Sequence, residues 1–254
     1  MEKIRISKYF TDCGVMSRRA AEDEISKGKV KVNGIVAELG QKIDPECDQV
    51  EYKGRIIKAR FEEKICIALN KPRGIVTTAQ DEKGRANVTD LVKIKDAYGK
   101  MVRLYPIGRL DMDSDGLLLM TNDGELANKL THPKHTIPKL YHVTLPYLFT
   151  DEDIRALGQP IVIDGRKTAP VKIRKVRENS QGYNSYTVLE FELYEGRNRQ
   201  IRKMCEQAGL TVRRLNRVAI GKLKLGGLPV GKWRYLEPQE IEYLRRSTAG
   251  GNRR

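Results

Sequence analysis

The pattern of hydrophobic and polar positions divides the chain into a small N-terminal module and a longer C-terminal part. In the module, Ser17 is a suitable N-cap for a helix, and Asn33-Gly34 is typical of a β-hairpin turn. Short periodic segments surround these two signals. They predict helices beginning at residue 6 and over residues 18–27, and strands over residues 30–32 and 50–52. The module is therefore expected to be two helices followed by a small twisted sheet.

The C-terminal part is predicted to mix strands and helices, with strands in the majority. Residues 54–63 have no clear period and are predicted to form a charged linker, whereas residues 65–69 suit a strand buried on both faces. Further strands are predicted over residues 102–105, 117–120, 141–145, 171–176 and 186–193, and helices over residues 125–130, 151–157 and 199–208. We expect an α+β fold: a small N-terminal helix-helix-sheet domain over residues 1–61, a larger mixed, largely antiparallel domain over residues 62–246, and a disordered tail over residues 247–254.

The net charge of the chain indicates that the protein binds a polyanion. The 254 residues carry a formal charge of +15, and residues 195–254 alone hold fifteen Lys and Arg against five Asp and Glu. Such an uneven positive charge is typical of proteins that neutralise nucleic-acid phosphates. The four cysteines form no CxxC pair, and neither a signal core nor a membrane-length apolar stretch is present. We therefore expect a cytoplasmic protein that has no structural metal and does not contact a membrane.

The most informative segment lies between the predicted strands and contains Asp111, Asp113 and Asp115 before Gly116. This spacing matches the start of a calcium-binding loop, but the twelfth position of such a loop requires a glutamate and is Asn122 here. Two alternatives remain. One is a catalytic carboxylate beside Arg109, whose charge would keep an aspartate ionised. The other is a turn that is merely rich in aspartate.

Two further segments could contribute to a site. Arg199, Arg202 and Lys203 would share one face of a predicted helix, where they could grip a phosphate or a carboxylate or simply face solvent. Tyr141, at the start of a predicted strand, could belong to the core or could stack on an extruded base. The sequence contains no phosphate-binding GxxxxGK[ST] loop and no dinucleotide fingerprint.

Taken together, these segments resemble the RsuA/RluB branch of bacterial ribosomal RNA pseudouridine synthases, and most closely the RluB type, over nearly the whole chain. The first sixty residues look like the small RNA-binding domain named after ribosomal protein S4. The matching motifs are Gly-Arg-Leu-Asp at 108–111, Gly-Leu-Leu-Leu at 116–119, Thr-x-Asp-Gly-Glu-Leu-Ala at 121–127, Lys-x-Tyr-x-Val at 139–143, Glu-Gly-x-x-x-Gln-Ile-Arg-Lys-Met at 195–204 and a Trp-Arg ending at 233–234.

The resemblance implies a function and a role for each matching residue. The protein would isomerise a specific uridine of ribosomal RNA, free or in a pre-ribosomal particle, as a monomer without a cofactor. Asp111 would be the catalytic carboxylate and Arg202 its ion-pair partner. Tyr141 would stack on the uracil, Leu215 would pad it and Arg109 would help to displace it. Contacts to the RNA are expected from Lys8, Arg18, Arg19, Arg197, Arg199 and Lys203.

Three rival functions are compatible with parts of the sequence. A ribosome-assembly factor could share the fold without catalysis, although the intact set of Asp111, Tyr141 and Arg202 argues against it. A DNA-binding regulator would need a recognition-helix pattern, which the sequence does not contain. A metal-dependent nuclease could use the three aspartates of the loop and would be sensitive to chelators.

Overall fold

A computed structural model describes residues 3–58, 63–79, 81, 83–132, 134–181 and 185–249. Two compact units make up the chain. Unit 1 comprises Met1–Lys64 and Ile94–Arg103, and unit 2 comprises Ile65–Lys93 and Leu104–Arg254. The boundary predicted after residue 61 falls within residues 59–62, which lie outside the described residues. That residues 94–103 join unit 1 is a feature that the sequence pattern did not indicate.

Unit 1 contains the two predicted helices and a four-stranded antiparallel sheet. Ser17 accepts a hydrogen bond from the Ala20 amide at 3.2 Å, as expected of the N-cap. Residues 54–63 are not a plain linker, because Arg55–Ile57 is a strand that pairs with Val50–Tyr52. The elements are β1 (Ile4–Arg5), α1 (Ile6–Asp12), α2 (Arg18–Ser26), β2 (Val30–Val32), β3 (Ile35–Val36), β4 (Lys42–Ile43), β5 (Val50–Tyr52) and β6 (Arg55–Ile57).

The apolar faces of these short elements meet in one core. Phe10 is fully buried and packs edge-on against Tyr52, with 5.6 Å between the ring centroids. Asn33 and Gly34 both have positive φ, at 51° and 83°, which gives the tight turn between β2 and β3. The sequence prediction of two helices and a small sheet is confirmed.

Unit 2 is built on one mixed sheet of nine strands among the described residues. Its main order is β13-β14-β10-β15-β9-β7-β17, with β8 beside β9 and β16 beside β15, and β9–β15 is the parallel pair. The α+β, largely antiparallel class is confirmed. The elements are β7 (Cys66–Lys71), β8 (Tyr105–Ile107), β9 (Asp115–Thr121), α3 (Gly124–Thr131), β10 (Lys139–Leu145), α4 (Asp151–Leu157), β11 (Val162–Ile163), β12 (Arg166–Lys167), β13 (Lys172–Asn179), β14 (Tyr186–Leu193), α5 (Gln200–Gln207), β15 (Arg214–Ile220), β16 (Leu223–Lys224), β17 (Trp233–Tyr235) and α6 (Pro238–Ala249).

Several boundaries differ from the sequence prediction for physical reasons. The strand expected over 102–105 lies at Tyr105–Ile107, where Pro106 is tolerated because β8 pairs with β9 alone. The charged strand β15 and the helix α6 were not predicted. The expected tail begins too early, since α6 continues through Ala249 and Thr248 is buried. Residues 250–254 lie outside the described residues.

Two central strands fix the position of the loop that contains the aspartates. Every residue of β7 and β9 is buried, as the apolar runs at 65–69 and 117–120 predicted. The loop before β9 is therefore attached to the most buried part of the sheet.

Among the described helices, none is long and apolar enough to cross a membrane.

Substitution of Gly116 tests the close parallel contact between β9 and β15. Gly116 has φ +108°, and an added Cβ would lie 2.4 Å from the Arg217 carbonyl oxygen. We expect Gly116→Ala to lower the free energy of unfolding by about 3 kcal/mol or more, because backbone strain and overpacking combine. The matched control is Gly165→Ala, at φ +75° with nothing within 4 Å, which should cost about 1–2 kcal/mol. Equal losses in denaturant titrations would contradict the contact.

Candidate active site

A cavity of about 340 Å³ lies where the aspartate loop, α5 and strands β10, β14 and β15 of unit 2 meet. It brings together Asp111, Tyr141 and Leu215, which are far apart in the sequence. Arg202 and Lys203 are not among the lining residues. The lining consists of Arg109, Leu110, Asp111, Ser114, Tyr141, Leu193, Gly196, Arg197, Asn198, Arg199, Gln200, Ile201 and Leu215.

A buried lysine holds the loop that carries Asp111. Lys71 ends β7 and is fully buried. Its Nζ donates to the carbonyl oxygens of Pro72, Asp111 and Ser114 at 3.0, 3.1 and 2.9 Å. Burial lowers the pKa of Lys71 from its ordinary 10.5 to about 8. Lys71 was not predicted as a site residue, because the sequence shows only a lysine at the end of an apolar run.

A buried arginine joins the same loop to Tyr141. Arg217 is 2% exposed, and its Nε donates to the Leu117 carbonyl at 2.7 Å. Its Nη1 donates to the Arg109 carbonyl at 3.3 Å and to the Tyr141 hydroxyl at 3.5 Å. Within the part of the chain that the structure describes, no carboxylate lies within 4.0 Å of this guanidinium. Main-chain dipoles therefore stabilise the buried charge, and Tyr141 is fixed relative to the loop.

The carboxylate of Asp111 faces the cavity and is 32% exposed. Its nearest cation among the described residues is Arg199, with Nη1 3.9 Å from Oδ2. This separation is an ion pair at the limit of contact, so the carboxylate oxygens stay available to a ligand. A carboxylate in this arrangement can act as a nucleophile or a base.

The expected ion pair between Arg202 and Asp111 is wrong in this structure. Arg202 Nε lies 3.1 Å from Asp113 Oδ2, and its Nη2 donates to the Asp113 carbonyl at 3.0 Å. Although burial opposes the effect, hydrogen bonds and charges from Arg199 and Arg202 hold the pKa of Asp113 below its usual value. The two aspartates therefore differ in their contacts: Asp113 forms ion pairs with the arginines, and Asp111 lines the cavity.

The three cations predicted at the start of α5 pair with two aspartates. Arg199 is the N-cap of the helix, with a left-handed φ of +53°, and α5 begins at Gln200. Its guanidinium lies 3.2 Å from Asp113, which Arg202 also contacts, while Lys203 pairs with Asp164 at 3.0 Å. All three cations therefore have a carboxylate partner in this structure.

Glu195 organises the loop before α5. Its Oε1 accepts hydrogen bonds from the Ala169 amide and from Gln200, and its Oε2 pairs with Arg197 at 3.0 Å. Arg197 also donates to the carbonyls of Arg166 and Lys167 at 2.6 and 2.7 Å. These bonds show that Arg197 holds the loop, and its contact with RNA stays a prediction.

The third aspartate of the loop also has a structural partner. Asp115 is buried in β9, where Arg214 donates to it at 2.9 Å and Asn216 at 2.7 Å. Strands flank the loop, whereas a calcium-binding loop of the proposed type lies between helices. Within the described ranges, no group of three His, Cys, Asp or Glu side chains could hold a metal ion.

In unit 1, the cations that were predicted to contact RNA lie on the two helices. Arg18 and Arg19 are exposed in the first turn of α2. Lys8, on α1, is partly exposed and pairs with Asp12 at 2.7 Å. Arg18 and Arg19 are therefore the better placed of the three to meet a phosphate.

The buried charge of Lys71 predicts a specific dependence of stability on pH. Between pH 8 and 10.5 the unfolded chain keeps Lys71 protonated while the folded protein does not, so folding releases a proton and stability rises with pH. Over this range, the unfolding free energy of wild type should rise by about 3 kcal/mol relative to that of Lys71→Met. Chemical denaturation at both pH values measures it. A difference that is flat, or that favours the variant as pH rises, would contradict the buried ammonium.

Comparisons with known proteins agree with this geometry. A model of the RNA pseudouridylate synthase family matches residues 65–207, and a model of the S4 domain matches residues 14–50. The ribosomal large subunit pseudouridine synthase B of Bacillus subtilis (strain 168) is 44% identical over 242 residues, covering 95% of each chain. The dual-specificity RNA pseudouridine synthase RluF of Escherichia coli (strain K12) is 38% identical over 94% of this chain and 77% of its own.

A solved structure extends the agreement to the fold. The crystal structure of a pseudouridylate synthase superposes with a TM-score of 0.63 at 28% identity, over 95% of this chain and 99% of that chain. Family model, relatives and fold agree with the motifs around Asp111. The chain belongs to the RNA pseudouridylate synthase family and carries an N-terminal S4 domain.

Proposed function

We propose that the protein converts a specific uridine of bacterial large-subunit ribosomal RNA into pseudouridine, with Asp111 as the catalytic carboxylate. The observation that carries the proposal is the placement of Asp111, Tyr141 and Leu215 around one cavity. The RNA assignment is supported by the relative named as a large-subunit synthase and by the S4 domain. The net charge of +15 suits a polyanionic substrate.

The reaction needs a carboxylate but no net change of atoms or electrons. The bond from uracil N1 to ribose C1′ breaks, the base turns, and C5 bonds to C1′ while the C5 proton is lost and N1 gains one. Asp111 either attacks C1′ or removes a proton from the adjacent ribose carbon. Both routes use a carboxylate oxygen of Asp111, and the nearest cation to it among the described residues is Arg199, at 3.9 Å.

The remaining cavity residues would hold the base that leaves the RNA. Tyr141 would stack on the uracil and Leu215, 5% exposed, would pad it from behind. Arg109 is exposed at the rim and would help to displace the base from its stack. Arg202 would act indirectly, by holding Asp113 and thereby the loop.

The setting of the reaction follows from the substrate. We infer that the protein acts as a monomer in the cytoplasm on ribosomal RNA or a pre-ribosomal particle. Its four cysteines are free, as is usual in a reducing compartment.

Substitution of Asp111 tests the catalytic role. Asp111→Asn should reduce pseudouridine formation at least about 1000-fold, because the amide can neither attack carbon nor accept the proton, while the Kd for RNA stays within about threefold. Chemical mapping of pseudouridine on unmodified RNA measures the first quantity and filter binding the second. Asp164→Asn is the matched control, since Asp164 is an exposed aspartate paired with Lys203. Full turnover by Asp111→Asn would refute the assignment.

Neutralising α2 tests whether unit 1 docks on RNA. Arg18→Gln with Arg19→Gln should weaken RNA binding and reduce the slope of log K against log salt by up to about 2, because each arginine can release counterions from a phosphate. Lys27→Gln with Lys29→Gln is the control, since both lysines already pair with acidic residues of the same helix. An unchanged affinity at low salt for the arginine variant would exclude this docking.

A further inference from the structure

Residues 94–103 form a β-hairpin within unit 1, although unit 2 supplies the sequence on both sides. The Val102 amide donates to the Ile94 carbonyl at 2.9 Å, and the Asp96 amide donates to the Lys100 carbonyl at 2.8 Å. Lys95 and Met101 face each other in an antiparallel bridge. The 94–103 hairpin thus adds a second, distant piece of chain to the unit that contains the S4 domain.

The tip of the hairpin is held in one conformation by an aspartate. Asp96 Oδ1 accepts hydrogen bonds from the amides of Tyr98 and Lys100 at 2.9 and 2.8 Å. Gly99 supplies the left-handed conformation of the turn, with φ +78°. At the other end Ile94 is buried and anchors the hairpin. A ligand that binds the tip would therefore pay little conformational entropy in the protein.

Tyr98 stands at this tip and is 82% exposed, more than any other large hydrophobic side chain in the described residues. An aromatic ring on a fixed turn offers a wide apolar face with few rotatable bonds. Met101, 45% exposed, is the other large apolar side chain exposed on the hairpin. The exposed apolar area is too small for a protein interface but is adequate for a single planar ring.

The hairpin that carries Tyr98 has an excess of positive charge. Lys95, Lys100 and Arg103 are exposed, whereas the carboxylate of Asp96 is engaged by the turn itself. Lys100 Nζ also donates to the Gly14 carbonyl at 3.3 Å, at the first residue of the S4 match. An exposed aromatic ring on a positively charged segment is the combination that binds unpaired nucleotides, with the base on the ring and the phosphates on the cations.

We propose that the 94–103 hairpin binds an unpaired nucleotide of the RNA substrate, whose base stacks on Tyr98 while the neighbouring lysines approach its phosphates. The proposal rests on the proposed function, since that function supplies the RNA. It extends the RNA-binding surface of unit 1 from the S4 domain to a segment that lies between the two strands β7 and β8 in sequence.

Three substitutions of Tyr98 distinguish stacking by an aromatic ring from the effect of side-chain size alone. With unmodified large-subunit RNA transcribed in vitro as the probe, Tyr98→Ala and Tyr98→Leu should each raise the Kd about tenfold, and Tyr98→Phe should stay within about twofold. All three should unfold at the wild-type temperature, because the side chain is exposed. Tyr235→Ala, which removes a tyrosine 53% exposed on β17, is the matched control and should bind as wild type.

The outcomes distinguish the hairpin from the proposed function. If wild type forms pseudouridine and Tyr98→Ala or Tyr98→Leu binds RNA as wild type, the hairpin proposal is overturned and the function stands. If wild type forms no pseudouridine but Tyr98→Ala still loses affinity while Tyr98→Phe keeps it, the RNA contact stands and the function fails. A photo-crosslink from RNA to the peptide containing Tyr98 would support the contact independently of activity.

Discussion

The structure depends on two buried cations whose partners are main-chain carbonyls. Lys71 binds three carbonyl oxygens around the aspartate loop, and Arg217 binds two more together with the Tyr141 hydroxyl. A buried charge is costly unless dipoles or counter-ions stabilise it. The carbonyl groups of the loop stabilise the two cations, and the same hydrogen bonds hold the loop in place. Neither cation pairs with a carboxylate among the described residues, and the carboxylate of Asp111 lines the cavity.

Arg199 and Arg202, at the start of α5, pair mainly with Asp113 and leave the oxygens of Asp111 available to react. Arg199 and Arg202 both lie within ion-pair distance of Asp113, whereas the carboxylate of Asp111 has one ion pair among the described residues, with Arg199 at 3.9 Å. The positive potential of the pair therefore reaches Asp111 without a hydrogen bond to its oxygens. A carboxylate in this setting keeps both oxygens for a ribose.

Local sequence signals predicted the elements and the principal cavity residues but not the contacts between distant segments. The capped helix after Ser17 and the buried strands β7 and β9 follow from periodicity, and the family motifs led to Asp111 and Tyr141. Lys71 and Arg217 were missed, because burial of a charge depends on strands that pair only in the folded chain. The wrong partner of Arg202 has the same origin, since Asp113 and Arg202 are brought together only in the folded chain. Recruitment of residues 94–103 into unit 1 was equally invisible to any local pattern.

The most direct test of the account is a crystal structure of the Asp111→Asn variant with a uridine-containing fragment of its RNA substrate. We expect one uridine to leave the RNA stack and enter the cavity, with its base between Tyr141 and Leu215 and its ribose within hydrogen-bonding distance of residue 111. A complex in which the RNA binds but every uridine stays stacked and the cavity remains closed to the base would contradict it.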